Sequence, residues 1–321
     1  MDNKKKQLIP TLEAIDYPQV IVPWPEVIKA FLESVDLRES TIESYRRRLK
    51  QFVLWLKENK INHPTPIDMI QFKKDISLRC SSSLTVGNYL VASRSFFRWC
   101  QRRKIYPDIS QEVRNPTPPS GHRKDALELS QIQELLSSIE RVTLKGKRDY
   151  ALCRLLIAAG PRGIEVWRSN IEDIRKKNGV WVCYLQGKGQ DEKSELVILA
   201  PTVLEAIEGY LFLRNYKSKK EPLFTSLSTN YKGRLSTRSI RGVVKIRLRA
   251  IGINSLRLSA HSCRHSAITL SLLAGNGLQE TQQLARHKNI NTTISFYAHN
   301  LKTLANPAFA SVDEMIESKK K

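Results

Sequence analysis

The sequence predicts a mainly α protein: an N-terminal helical bundle followed by a mixed α/β C-terminal domain with a small three-stranded antiparallel sheet. Three observations predict it. Apolar residues recur at helical spacing from residue 24 to about 104 and again beyond 129. The period turns to short alternating runs only between about 170 and 200. Proline and glycine crowd one stretch, Asn115-Pro116-Thr117-Pro118-Pro119-Ser120-Gly121, which reads as a stiff, extended connector. A chain of 321 residues also exceeds one compact core and suits two domains.

Residues 1–23 are polar and proline-marked and read as an extended tail. A helical domain is expected over 24–114. Pro25 stands where a first helical residue tolerates a missing N–H, and Val27, Ile28, Phe31, Leu32 and Val35 follow at helical spacing. Ser40 and Glu43 have the spacing of a capping box at the start of a second helix. Its apolar stripe is Ile42, Tyr45, Leu49, Phe52, Val53 and Leu56, with Arg46, Arg47, Arg48, Lys50 and Lys57 largely off it. Thr65-Pro66-Ile67-Asp68 opens a third helix with a cap and a proline. A fourth, from about Ser83 to Lys104, is expected to bury Leu84, Tyr89, Leu90, Phe96 and Phe97, and it carries Arg94, Arg98, Arg102 and Arg103. Such charges make either an ordinary solvated face or a phosphate-binding one; only their convergence on one surface separates the two.

A linker is placed at 115–123, and the second domain at 124–321. Leu129, Ile132, Leu135, Leu136 and Ile139 give its first helix, and Tyr150 to Ala159 a second that ends at Gly160-Pro161. Ile171–Ile174, Val180–Leu185 and Leu196–Leu199 read as strands, the first pair turned by Asn178-Gly179 and the second by a turn beginning Gly187-Lys188-Gly189-Gln190. Helices resume at Pro201 and dominate to a short capped one at about 311–318, opened by Ser311 and Glu314.

Composition sets aside several classes. Lys and Arg total 53 against 31 Asp and Glu, a net charge of +22 that points to a polyanion, nucleic acid first and an anionic membrane surface second. No run approaches a membrane span and the first residues lead into no signal-peptide core. Cys80, Cys100, Cys153, Cys183 and Cys263 are scattered, which fits reduced cytoplasmic thiols better than a disulfide frame or zinc module.

Six residues of the second domain invite a chemical reading. Arg162 precedes Glu165 by three positions, so the carboxylate can brace the guanidinium. Lys188 sits at a hairpin tip between glycines. His261 and Arg264 share one face of a helix, His287 follows a short helix, and Tyr297 lies beyond it. Guanidinium forks neutralise phosphate oxygens as charge builds, an ammonium can protonate a leaving oxygen, and a phenol can attack phosphorus once its proton is taken. Singly, each residue also has an ordinary structural reading. His261, Cys263 and His265 raise a metal site, but the metalloprotease pattern needs Glu where Ser262 stands, and no metal is expected.

In order and context the set resembles a known family. Gly160-Pro161-Arg162-Gly163-Ile164-Glu165 resembles the first arginine box of tyrosine recombinases, the phage-integrase and Xer-type family. Gln186-Gly187-Lys188-Gly189 is similar to its lysine hairpin, and His261-Ser262-Cys263-Arg264-His265-Ser266 to its HxxRH box. Leu284 to Thr293, followed by Tyr297-Ala298-His299, resembles its final box and nucleophile. Three residues depart from the pattern: Pro161 and Gly163 beside the first arginine, and Arg286 where the family usually has Gly before the histidine.

The resemblance implies a SAM-like core-binding N-terminal domain and a site-specific DNA recombinase. Tyr297 would form a 3′-phosphotyrosyl link, Arg162 and Arg264 would hold the phosphate, and His287 would add a hydrogen bond. Lys188 would be general acid, His261 would assist proton transfer, and Glu165 would support from behind. It also implies no metal or nucleotide cofactor and a double-stranded DNA partner with inverted core repeats, met by Arg46, Arg47, Lys50, Arg94, Arg98 and Arg102. A homotetramer on DNA working through a Holliday junction, a monomer off DNA, a cytoplasmic location, a tie to a mobile element and a C-terminal helix exchanged between subunits complete the picture; the alternative for that helix is to fold back on its own domain. Two alternatives are a type IB topoisomerase, which normally lacks histidine where His261 stands, and an inactive DNA-binding accessory, although every catalytic position is filled here.

Overall fold

The computed structural model describes residues 21–117, 125–187, 189–228, 233–300 and 315, those of 296–300 by backbone alone. Residues 1–20 of the expected tail, 118–123 of the linker, Lys188 and the helix over 311–318 apart from Met315 lie outside the described residues. The chain divides into two compact units, Met1–Ser120 and Gly121–Lys321. Among the described residues no helix is long and apolar enough to cross a membrane.

The first unit holds α1 (Trp24–Ser34), α2 (Glu39–Glu58), α3 (Pro66–Arg79) and α4 (Ser83–Arg102). Their apolar stripes meet in an aromatic core of Trp24, Phe31, Phe52, Phe72, Phe96 and Phe97. Edge-to-face pairs order it, with Phe52 and Phe72 at 5.0 Å and Phe96 and Phe97 at 5.1 Å. Thr65 caps α3 as its sequence predicts: its hydroxyl accepts from the Asp68 N–H, and Asp68 accepts from the Thr65 N–H at 2.7 Å. Pro25, expected at the first helical position, is the second residue of α1.

Three further expectations fail in this unit. Ser40 and Glu43 form no capping box, because α2 is capped two residues earlier by Arg38, whose carbonyl accepts from the Thr41 and Ile42 N–H groups. Glu43 turns to a stronger partner, the Arg46 guanidinium at 2.5 Å. Leu84 is 43% exposed rather than buried. The inner stripe of α4 runs Val86, Leu90, Ser93 and Phe97, and Leu84, two residues before it, projects about 200° away around the helix. The same helix stops at Arg102 rather than Lys104, which takes a left-handed turn at φ 55°.

The second unit is built around α6 (Leu144–Ala158), whose Ala151, Leu152, Cys153, Leu155, Leu156 and Ile157 are buried. It packs against α5 (Leu129–Ser137), α8 (Pro201–Arg214), α9 (Thr237–Ala250) and α10 (Ala260–Leu273). Expected from Tyr150, it begins six residues earlier. Thr143 accepts from the Gly146 N–H at 3.0 Å, and a Lys-Gly-Lys first turn carries no apolar period to betray it. After α6 come α7 (Gly163–Arg168), β1 (Ile174–Lys177), β2 (Val180–Leu185) and β3 (Glu195–Ile198); α11 (Leu278–Ala285) and α12 (Ile290–Asn300) pack on α10.

The sheet is antiparallel in the order β1-β2-β3, with Ile174 opposite Cys183 and Val182 opposite Ile198. Asn178 and Gly179 close its first hairpin at φ 49° and 79°. The first strand is displaced from its expected place. Ile171–Asp173 is a 3₁₀ turn in which the Asp173 carboxylate accepts from the Asn170 N–H at 2.6 Å, and the strand begins only at Ile174. Arg175 stacks over Tyr184 at 3.9 Å, so this cationic edge covers the sheet's own aromatics.

Candidate active site

The site grows from the C-terminal end of α6. Gly160 follows it at φ 58°, a conformation disfavoured for any residue with a Cβ, and turns the chain so that Arg162 caps α7. Glu165, three residues on, is fully buried. Its Oε2 accepts from the Arg162 backbone N–H at 2.7 Å and its Oε1 from Arg162 Nη1 at 2.6 Å. The brace expected from the sequence spacing is thus built into the first turn of a helix.

Arg264, on α10 beside α6, is buried; its Nη1 donates to the Gly160 carbonyl at 2.7 Å and its Nη2 to the Ala285 carbonyl. These bonds lock the guanidinium between two helix ends and leave other N–H groups for an oxyanion. His261 lies one turn earlier, its ring 4.6 Å from that of His265. Cys263, between them, faces the core instead, so the three do not converge as metal ligands would. His287 follows α11; its Nδ1 shares a hydrogen bond of 3.0 Å with the hydroxyl of buried Thr293.

Arg162, His261, Arg264 and His287 line one cleft of about 570 Å³, together with Glu195, His265, Arg286, Lys288, Asn289, Ile268 and Thr292. Its electrostatics are set for an anion. Burial, then the charges of Arg162 and Arg286, push the Arg264 guanidinium down to about 9, still cationic at neutral pH. Burial, then Arg264, Arg162, Arg286 and His261, push His287 down to about 4, so its imidazole is neutral. Burial alone would raise the Glu165 carboxyl, but the Arg286 charge and the Arg162 hydrogen bonds outweigh it and hold the group below its ordinary value.

Residues 125–303, more than half of the chain, match the Phage integrase family, and residues 28–104 match the N-terminal SAM-like domain of phage integrases. The chain belongs to the phage integrase family. As a member it is a tyrosine recombinase, an enzyme of site-specific DNA strand cleavage and rejoining. It is 28% identical over 290 residues to tyrosine recombinase XerD of Staphylococcus haemolyticus, covering 86% of this chain and 95% of that one. The fold is that of the XerH site-specific recombinase solved on its difH substrate, with a TM-score of 0.70 and 19% identity over 90% of this chain and 84% of that one. The Tn1549 transposon integrase, solved with transposon right end DNA, gives 0.65 and 17% over 92% and 99%. Neither a topoisomerase nor an inactive accessory is favoured by these matches.

Two members of the recombinase set are not placed as side chains. Lys188 lies outside the described residues, and Tyr297 is described only as backbone within α12. The hairpin around Lys188 is tightly held: Gln186 Nε2 donates to the Gln190 carbonyl at 2.9 Å, Arg168 to the Gly187 carbonyl at 3.3 Å. A Cβ on Gly187 would lie 2.5 Å from Glu195 Oε1 and 2.7 Å from Gln190 Oε1, so a larger residue there would have to displace both side chains.

In the first unit, Arg94, Arg98 and Arg102 line one shallow groove on α4 with Tyr45, Val91, Ser95 and Gln101. Arg94 is anchored by Asn115 Oδ1 at 2.7 Å and the Val113 carbonyl. Arg46, Arg47 and Lys50 are exposed on α2 and do not line that groove. The structure also adds residues that the sequence alone does not flag for the site: Thr293 on His287, Arg168 on the hairpin, and Glu195 in the cleft wall.

Proposed function

We propose that this recombinase cleaves DNA through Tyr297, whose phenolate oxygen attacks the scissile phosphorus, forms a 3′-phosphotyrosyl bond and expels the 5′-oxygen. Arg162 and Arg264 hold the non-bridging oxygens, with His287 donating a hydrogen bond, and Lys188 protonates the leaving oxygen. His261 assists removal of the phenol proton, and Glu165 acts by orienting Arg162. The bond energy stays in the phosphotyrosine, so reversal by another strand's 5′-hydroxyl rejoins DNA without a nucleotide. The observation that carries this reading is the single cleft lined by Arg162, His261, Arg264 and His287, which come from three separate stretches of chain.

The partner in this reading is a DNA duplex with inverted core repeats, bound by a homotetramer that exchanges strands through a Holliday junction. Relatives solved on DNA, XerH on difH and the Tn1549 integrase on transposon DNA, support it. Residues 24–114, with the α4 groove and the exposed α2 cations, bind the core repeats; 115–123 connect; 124–321 catalyse, with the segment at 311–318 docking on a neighbouring subunit. The cytoplasm is the compartment where such DNA is met, and a mobile element is the setting that the Tn1549 likeness suggests.

The test uses a duplex selected for binding from a randomised pool and nicked near the cleavage point, so that the released strand diffuses away and the adduct is trapped. The wild-type chain should form a covalent adduct that Tyr297→Phe abolishes while retaining affinity within a few-fold. An adduct that persists in Tyr297→Phe would give the nucleophile's role to another residue.

A further inference from the structure

Arg286 is held in a way that its place in the sequence does not explain. It ends α11 at φ 50°, in the left-handed region that favours glycine. Its side chain is nonetheless only 7% exposed, drawn inward to two carboxylates. Nη2 lies 2.8 Å from Glu165 Oε2, and Nη1 donates to the Leu284 carbonyl at 3.1 Å. Nε lies 3.2 Å from Glu195 Oε2, at ion-pair distance though misaligned for a hydrogen bond.

Each carboxylate leads on to a cation of the cleavage chemistry. The other oxygen of Glu165 holds Arg162 Nη1 at 2.6 Å. The other oxygen of Glu195 lies against Gly187, which precedes Lys188 in the chain. We propose that Arg286 is a positioning residue for strand cleavage: it fixes Glu165, which orients Arg162, and through Glu195 it steadies the turn that carries Lys188. The proposal rests on the recombinase reading above.

The chemistry gives it a signature beyond packing. The charged groups that act on Glu165 are Arg162 of α7, Arg264 of α10 and Arg286 at the end of α11, while Glu195 of β3 acts on Arg264 and pairs with Arg286. Arg286 is the leading opponent of the desolvation that burial imposes on Glu165. Without it that desolvation gains, the carboxyl protonates at milder acidity, and a neutral acid accepts weakly from Arg162. Loss of Arg286 therefore slows cleavage most at low pH.

The experiment measures single-turnover adduct formation on the same nicked duplex from pH 5.5 to 8, using the full chain, Arg286→Gly and Arg286→Lys, with affinity and thermal melting alongside. Arg286→Gly, which suits the backbone, should melt cooperatively, bind within about threefold and form adduct about 10- to 100-fold more slowly at neutral pH, the cost of a displaced positioning group. Its rate should fall further as the pH is lowered, by a larger factor than that of the wild type, and Arg286→Lys should recover part of the rate and of the acid tolerance. A wild-type rate and pH profile in Arg286→Gly overturns the proposal, as does a pH-independent loss that lysine leaves unrescued. Should Arg286→Gly lose its cooperative melt, Glu195→Gln carries the test: slowed adduct at unchanged affinity supports the role, and a wild-type rate ends it. A wild-type chain that forms no adduct defeats the recombinase reading instead, so the two failures are distinct.

Discussion

In the unbound protein His287 carries no charge at neutral pH, because burial and then Arg264, Arg162, Arg286 and His261, in that order, push it down to about 4. On unfolding the imidazole returns to about 6.5. Between those values the unfolded chain binds a proton that the folded chain refuses, so stability falls as pH drops from about 6.5 towards 4 and is untouched above that window. His287→Asn should flatten the pH dependence of the thermal midpoint across this interval; equal slopes in the two proteins would show that another group dominates. The same residue shows what the sequence reveals at this scale. Arg162 with Glu165, and His261 with Arg264, are legible because three-residue spacing fixes neighbours on one helical turn. The links from Arg286 to Glu165 and to Glu195 join residues distant in the chain and exist only once α7, β3 and α11 have packed. Arg286 shows in sequence only as an unexpected side chain before a histidine.

At the level of elements, Gly160 joins α6 to α7 and lies against α10. An added Cβ would meet the Ala267 Cβ at 3.2 Å while the backbone stays at φ 58°. Gly160→Ala should therefore cost about 1–2 kcal/mol from the left-handed backbone alone, measured by denaturant unfolding. Because relief of the contact shifts the helix that carries His261 and Arg264, adduct formation should drop by more than the stability loss explains; a stable variant with full activity would show that α10 is free to adjust. Elements announce themselves where local chemistry is strong: the Thr65 cap, the Asn178-Gly179 turn, the proline at the start of α8. The misses share a cause. The start of α6 is polar because it caps rather than packs, the box expected on α2 yields to the Arg38 carbonyl, and Ile171 opens a 3₁₀ turn that leads into β1 rather than the strand itself. In each, a hydrogen bond made by one side chain or carbonyl moved a boundary that apolar spacing left open.

For the whole molecule the dominant quantity is charge. A net +22 on 321 residues opposes folding through self-repulsion, and a duplex that neutralises it releases condensed counterions in exchange. The cations are not spent evenly. Arg148 and Arg247 are locked on buried Asp149 and cannot serve a ligand, whereas Arg94, Arg98 and Arg102 share a groove and Arg47 and Lys50 stand exposed. If about 6–10 phosphates are contacted, affinity should fall about 10³- to 10⁵-fold between ~50 and ~200 mM salt. Alanine at Arg98 and Arg102 should lower the slope of log affinity against log salt by about one for each phosphate no longer neutralised, across all sequences alike. Arg94 is a poorer probe, because its bonds to Asn115 and the Val113 carbonyl also support the first unit. A salt response that is flat, or unmoved by the double substitution, would take the α4 groove out of the DNA interface.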